Sequence, residues 1–332
     1  MRVHVTGACG LIGSHLARKW VDLGAVVTGS DDLSGGYRDN LPAEIPLAVV
    51  DCSDLDAVTG ATRGAEVVYH CAAAAHDGLS VFSPVSVTRS IFVQSVAVAA
   101  ACARNRVRRL VACSSMARYG AIEAPFREEQ EPVPETPYGA AKLAAERQVA
   151  LVAKLHGFEH VVAVPHSVVG PGQRYEDPFR NVVAIMANRC LQGRPALVYG
   201  DGSQTRCFTH VSDAVAPLVA MADAPVSGEV FNVGPDEEVV SLADLARMVM
   251  RSAGLDGEPV FVPARAAEVK RADCSADKAR RLLGYRTTRS LQETVDELVA
   301  WVRVRGPRPF AYNMPIEIED ERTPRAWLER SM

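Results

Sequence analysis

The sequence predicts an α/β fold, a doubly wound parallel sheet followed by a smaller α/β lobe. Three observations predict it. Short β-rich runs alternate with helix-length segments through the first half of the chain. The apolar run "VHV" leads directly into "TGACGLIG", with glycines at positions 7, 10 and 13. After about residue 170 the alternation loosens, and Pro and Gly become frequent. Strands that alternate with helices run parallel, because each crossover helix returns the chain to the starting end of the sheet.

Taken in order, "RVHVTG" (2–7) reads as a strand and "LIGSHLARKWVDLG" (11–24) as a helix ended by Gly24. "AVVTGSD" (25–31) is the second strand, and 65–73, 109–115 and 160–168 are further strands. Helical patterns fall at 86–104 and 138–156. The division expected is 1–168 for the sheet domain and 169–332 for the lobe, with segments around 206–233 returning to the first. "SLAD" (241–244) and "SLQE" (290–293) read as capping boxes that start two late helices. The tail "PRPFAYNMPIEIEDERTPRAW" reads as an extended arm, and "ARMVMRSA" as a core helix face.

Apolar residues make up 48% of the 332 and charged residues 23%, as in ordinary globular chains. The net charge of −4 leaves no basic footprint for nucleic acid. "RNRVRR" (104–109) reads as a solvated helix end. No secretory signal opens the sequence. The near-apolar run "VAVAAACA" (96–103) is far short of the roughly 20 residues of a membrane span. The eight scattered cysteines form no CxxC pair and fit reduced thiols in a cytoplasmic protein. His70, His76, His166 and His210 show no metal spacing with each other or with cysteine, so no metal is expected.

A strand, a tight glycine turn and a helix start make a phosphate site. Gly7 permits the turn, Gly10 lets a pyrophosphate approach the backbone, and Gly13 lets the helix pack on the strand. Asp31 ends the second strand 18 residues after Gly13. A carboxylate there accepts from the adenosine ribose of NAD and repels the extra phosphate of NADP. A tight turn with no ligand is the other reading of these residues.

"TPYGAAK" (136–142) places Tyr138 and Lys142 four apart, on one face of a helix that Thr136 caps and Pro137 opens. A lysine ammonium near a phenol lowers its pKa and makes it a base. An ordinary solvated Tyr/Lys pair has the same spacing. "ACSSMARYG" (112–120) follows a strand and puts Ser115 where it can meet the same hydroxyl.

With GxxGxxG at the start, then strand, serine and YxxxK, the chain resembles the extended short-chain dehydrogenase/reductase family, nucleotide-sugar epimerase and dehydratase branch. The likeness spans nearly the whole chain. "DDLSGG" resembles the acidic ribose clamp (Asp31, Asp32), "DCSD" the adenine-edge segment (Asp51, Cys52) and "HCAAAA" the third-strand cofactor contact (Ala72, Ala73). Leu11 and Ile12 fall within the glycine turn. "FNVG" (231–234) and "RAAE" (265–268) resemble C-terminal nucleotide-sugar elements. The resemblance implies a Rossmann-type sheet, tightly bound NAD and a UDP-sugar substrate. It makes Ser115, Tyr138 and Lys142 catalytic, and Ser115, Met116, Ser167, Arg174, Asn181, Arg206, Arg265 and Glu268 substrate contacts. It further implies a homodimer through helices 86–104 and 138–156.

Members of this branch start by oxidising the sugar at C4: Tyr138 would take the hydroxyl proton while hydride passes to NAD⁺. Dehydratases carry Asp and Glu where this chain has Met116 and Ala117, and related decarboxylases carry Glu at the position of Ala117. Neither Met nor Ala moves a proton, which favours 4-epimerisation. Ser167 and Arg174, seven apart, resemble the carboxylate clamp of uronate 4-epimerases, so UDP-glucuronate and UDP-galacturonate are the expected pair. UDP-glucose/UDP-galactose is the alternative, with a dehydratase or decarboxylase behind it. "VPH" (164–166) and Cys207 depart from the family's usual residues.

Overall fold

In the structure, a computed structural model describing residues 1–332, seven strands form one parallel sheet. β1 (Arg2–Thr6), β2 (Val26–Asp31), β3 (Leu47–Val49), β4 (Val67–His70), β5 (Arg109–Cys113) and β6 (Glu159–Pro165) come first. Four short strands follow, β7 (Val168–Val169), β8 (Leu197–Tyr199), β9 (Thr205–Cys207) and β10 (Thr209–His210), before β11 (Val230–Val233) rejoins the sheet. The order is β11-β6-β5-β4-β1-β2-β3. It reverses between β1 and β4, and the glycine turn leaves β1 at that reversal, where open α/β sheets bind ligands.

The central strands carry valines on both faces, as a sheet covered on both sides requires. Val3, Val5, Val67, Val111 and Val161 are buried in the main core on one face, and Val68, Val162 and Val164 are buried in separate clusters on the other. One face is covered by α1 (Leu11–Asp22); the other by α2 (Leu55–Ala61), by α3 (Asp77–Ser80) and α4 (Pro84–Thr88) with α5 (Gln94–Asn105), and by α6 (Pro137–His156). α4 and α5 form one helix through a π turn at Arg89–Val93. The alanine-rich run read from sequence thus belongs to a 22-residue helix, Pro84–Asn105, long and apolar enough to cross a membrane. Half of its apolar stretch is buried, between α2 and α6.

The lobe is built on α7 (Val182–Leu191), which packs with α9 (Leu242–Ala253) and α11 (Leu291–Arg305) around a second core. α8 (Val211–Ala220) leaves the lobe and packs on α1, and α10 (Asp277–Leu283) lies on β11. The lobe's small sheet has the order β12 (Val239–Ser241), β9, β14 (Arg271–Ala272), and β13 (Val260–Val262) pairs with β8.

Several expectations need correction. β3 is three residues long, too short to carry a period, and was not expected. "FNVG" is β11, an edge strand whose Phe231 and Val233 are core residues, and it does not line the cleft described below. Arg109 is not solvated: it is 3% exposed, donates to the Met221 and Ala224 carbonyls, and pairs with Glu159 at 2.8 Å. At α11 the capping box is complete, but at α9 Ser241 caps Asp244 without a return bond to the Ser241 N–H, aspartate being one methylene shorter than glutamate.

Gly7 and Gly13 are demanded by the backbone. Gly7 has φ +67°, and a Cβ on Gly13 would stand 2.1 Å from the Gly7 carbonyl oxygen. Gly13→Ala is expected to force α1 off β1, costing about 1–3 kcal/mol as overpacking does, read as a lowered melting temperature.

Candidate active site

Every residue singled out for the site lines one cleft at the carboxyl edge of the sheet, except Asp51. Asp51 is exposed beside it, accepting from Ser53 N–H at 2.8 Å and Gln94 Nε2 at 3.2 Å. The glycine turn is the floor. α1 begins at Gly10 with no side-chain cap, whereas Thr136, Asn181, His210, Ser241 and Ser290 cap α6, α7, α8, α9 and α11. Its first-turn N–H groups are left for an anion. Asp31 closes one side: Oδ2 accepts from Cys9 N–H at 2.8 Å and Oδ1 from Leu33 N–H at 2.7 Å. The same carboxylate that would receive ribose hydroxyls thus ties β2 to the turn. Cys52, Ala72 and Ala73 complete this half. These residues fit a dinucleotide.

At the centre α6 brings Tyr138 and Lys142 under the end of β5. Thr136 Oγ1 accepts from Gly139 N–H at 3.0 Å, and Pro137 starts the helix. Lys142 is buried and donates from Nζ to the Cys113 carbonyl at 2.9 Å, 5.9 Å from the Tyr138 ring centroid. Burial pulls the Lys142 ammonium below its ordinary value. The Tyr138 phenol is not lowered as the sequence implied. Burial pushes it up to about 12, with Asp77 adding to the rise and the Ser115 hydroxyl and Arg180 charge opposing it. Desolvation of the phenolate outweighs the neighbouring positive charge.

Asp77, Ser80, Asp177 and Arg180 escaped the sequence reading. Asp77, first in α3, accepts from Thr136 Oγ1 at 2.6 Å, and Ser80 Oγ accepts the Tyr138 N–H at 3.1 Å. α3 therefore sets the entry of α6. Arg180 pairs with Asp177 at 3.0 Å, and Asp177 also accepts from His76 Nε2 at 2.9 Å. A Cβ on Gly35 would stand 2.6 Å from Arg180 Nη2. The guanidinium lies over the loop that follows β2 and reaches electrostatically to both Asp31 and Tyr138. Only its position before Asn181 in "FRN" marked it in the sequence.

Towards the lobe, Ser167 sits at φ +40° and directs its hydroxyl to Met116 Sδ at 3.6 Å. A non-glycine residue in that region is strained, as residues at binding sites often are. Arg174 and Ser167 share no hydrogen-bond partner. Arg174 donates to the Ser34 carbonyl at 2.7 Å and pairs with Glu176 at 3.3 Å. Asn181 caps α7, accepting from Val183 N–H at 3.0 Å and donating to the Val168 carbonyl at 3.2 Å. Glu268 sits between both arginines expected to hold phosphate: Arg265 meets it with two 3.1 Å bonds, and Arg206 lies 3.6 Å away. The sequence shows no metal spacing, yet the fold brings His166, Cys207 and Cys274 together.

Comparison with known proteins places the chain in one family. The model of the "NAD dependent epimerase/dehydratase family" matches residues 3–234. UDP-glucose 4-epimerase of Mycolicibacterium smegmatis is 33% identical over 91% of this chain and 99% of its own. UDP-glucose 4-epimerase of Thermotoga maritima, solved with UDP-glucose, superposes with TM-score 0.87 at 28% identity, covering 92% of this chain and 99% of that one. UDP-glucuronic acid 4-epimerase of Bacillus cereus, in complex with UDP-glucuronic acid and NAD, gives 0.85 at 25% identity, with 92% and 100% covered.

Because Asp77 raises and Arg180 lowers the Tyr138 pKa, removing either charge moves the acid limb of a kcat/KM–pH profile. Asp77→Asn is expected to shift that limb to lower pH and Arg180→Gln to higher pH. A profile unmoved by both would show that the phenol does not titrate in that limb.

Proposed function

The chain belongs to the NAD dependent epimerase/dehydratase family and uses NAD, and from that premise we propose that it is a UDP-sugar 4-epimerase interconverting UDP-glucuronate and UDP-galacturonate. The observation that carries the reading is the meeting of Ser115, Tyr138 and Lys142 in one cleft whose neighbouring positions, Met116 and Ala117, cannot move a proton. Dehydration and decarboxylation would need an acid or base there; inversion at C4 needs neither.

The glycine turn, Asp31, Asp32, Cys52, Ala72 and Ala73 would hold NAD, which supplies a hydride acceptor and then donor of unchanged identity over one turnover. Tyr138 takes the 4-hydroxyl proton and later returns it. Ser115 shares that hydroxyl and stabilises the phenolate. Lys142, fixed by the Cys113 carbonyl, holds positive charge beneath the phenol. Arg206 and Arg265 would take the diphosphate in exchange for Glu268, since both already face a carboxylate. A homodimer through helices 86–104 and 138–156 belongs to the same reading.

Arg174 supports the uronate: it lines the cleft, and with two of its five donors engaged it can still meet a C6 carboxylate. Fixing that carboxylate would slow loss of CO₂ from the 4-keto uronate, a β-keto acid. One observation favours the neutral hexose instead. Glu176 already neutralises Arg174.

Product analysis with UDP-glucuronate against UDP-glucose, with no NAD added, decides between them. Tyr138→Phe is expected to lower turnover by about 10²–10⁴-fold while the protein still carries NAD; inversion at full rate in that variant would defeat the mechanism. Arg174→Ala is expected to cost the uronate about 1–3 kcal/mol, or roughly 5- to 150-fold in kcat/KM. Intact uronate turnover would remove the clamp and leave the hexose reading.

A further inference from the structure

Three segments far apart in sequence meet in a closed space behind the sugar side of the cleft. His166 follows β6, Cys207 ends β9, and Cys274 follows β14. A ligand atom of each lies within 4.8 Å of the other two, and all three residues are 0% exposed. Nothing in the epimerase reading uses them.

Hydrogen bonding sets the state of the imidazole. Asn232 Nδ2 donates to the Phe126 carbonyl at 3.0 Å, which turns Oδ1 the other way. That oxygen accepts from the Tyr119 hydroxyl at 2.9 Å and lies 3.4 Å from His166 Nε2. An amide oxygen only accepts, so Nε2 carries the proton and Nδ1 an unshared pair. Nδ1 is buried and has no hydrogen-bond partner. A ligating histidine is held in this way, its far N–H fixed by an acceptor and its lone pair presented inward.

We propose that His166 Nδ1, Cys207 Sγ and Cys274 Sγ bind one thiophilic d¹⁰ cation of the Zn²⁺ class. Two thiolates and a neutral imidazole make an uncharged complex with a divalent ion. That suits surroundings built from Tyr119, Phe126, Val162, Val164 and Ala272. Bonds of about 2.3 Å to sulfur and 2.0 Å to nitrogen imply ligand separations of about 3.5–3.8 Å in a tetrahedral site, a contraction of at most about 1.0–1.3 Å from the present 4.8 Å outer bound. The Gly234 carbonyl, 3.9 Å from Cys274 Sγ, is the oxygen at hand for a fourth position. Binding forms two metal–sulfur bonds and one metal–nitrogen bond and releases two thiol protons to solvent; no electron moves. The cation staples the end of β6, β9 and the chain after β14, next to Ser167, Arg206 and Asp273.

The test uses the full chain prepared with Zn²⁺ and then with Cd²⁺. Native mass spectrometry is expected to show the mass of one cation less two protons, and the Cd²⁺ form a sulfur-to-cadmium charge-transfer band. Cys207→Ser and Cys274→Ser should each abolish the band. Asn232→Leu, which keeps all three ligands, should weaken Cd²⁺ binding about 10- to 100-fold. Cys190→Ser, at a buried thiol elsewhere, should keep it. A wild-type chain that takes up no Zn²⁺ overturns the proposal, as does a band that survives Cys207→Ser. A Cys207–Cys274 disulfide overturns it too. The wild-type mass decides the matter even where a variant fails to fold.

Discussion

The Lys142 ammonium is buried at the carboxyl edge of the sheet, and its one close partner is the Cys113 carbonyl at 2.9 Å. A buried cation is costly unless it is bonded or paired. Here a single peptide dipole at the end of β5 bears most of that demand, with Glu146 helping at longer range. The bond fixes the rotation and height of α6 against the sheet. One helical turn earlier on the same face stands Tyr138, so the phenol inherits its position from the lysine. Thr136, Asp77 and Ser80 fix the same helix from its other end. The phenol is thereby held in place while burial raises its pKa, so on the proposed reading its work as a base would draw on positive charge brought in with the cofactor.

What could be read from the sequence was what lies close together along it. The glycine turn, Asp31 after β2, the Thr-Pro-Tyr start of α6 and the Tyr138–Lys142 spacing are each set within one turn or one βα unit. The strands with long valine runs were legible for the same reason. β3 was not, because three residues carry no period. β11 was expected only as part of a segment returning to the first domain; its pairing with β6, some seventy residues earlier, shows only in the folded chain. Asn181 drew attention as a contact, while its service as a helix cap depends on a backbone direction that spacing does not give. Asp77 and Arg180 belong to no motif in the sequence, and only the fold brings their charges to bear on Tyr138.

The charges of the cleft are arranged in pairs before any ligand arrives. Arg174 faces Glu176, Arg180 faces Asp177, and Arg206 and Arg265 share Glu268. An array of unpaired guanidinium groups would repel itself and destabilise the closed fold. Pairing removes that cost, but on the proposed reading a diphosphate at Arg206 and Arg265 would displace Glu268 instead of filling an empty site. Net affinity then rests on the difference between two ion pairs, which favours a ligand whose oxygens match the guanidinium fork better than the resident carboxylate does.

The tail that the sequence presents as an extended arm takes part in this wall. Glu317 accepts from the N–H groups of Val85 and Ser86, both at 2.8 Å, and so caps α4 from far along the chain. Trp327 is 2% exposed, packed on Phe82 and Phe179, and Met332 itself lines the cleft. A segment fastened at α4, at Phe179 and at the cleft cannot open as a unit without breaking each contact. The far end of the cleft is accordingly bounded by a fixed surface, and on the proposed reading the room for a keto intermediate to turn would have to come from the cleft itself.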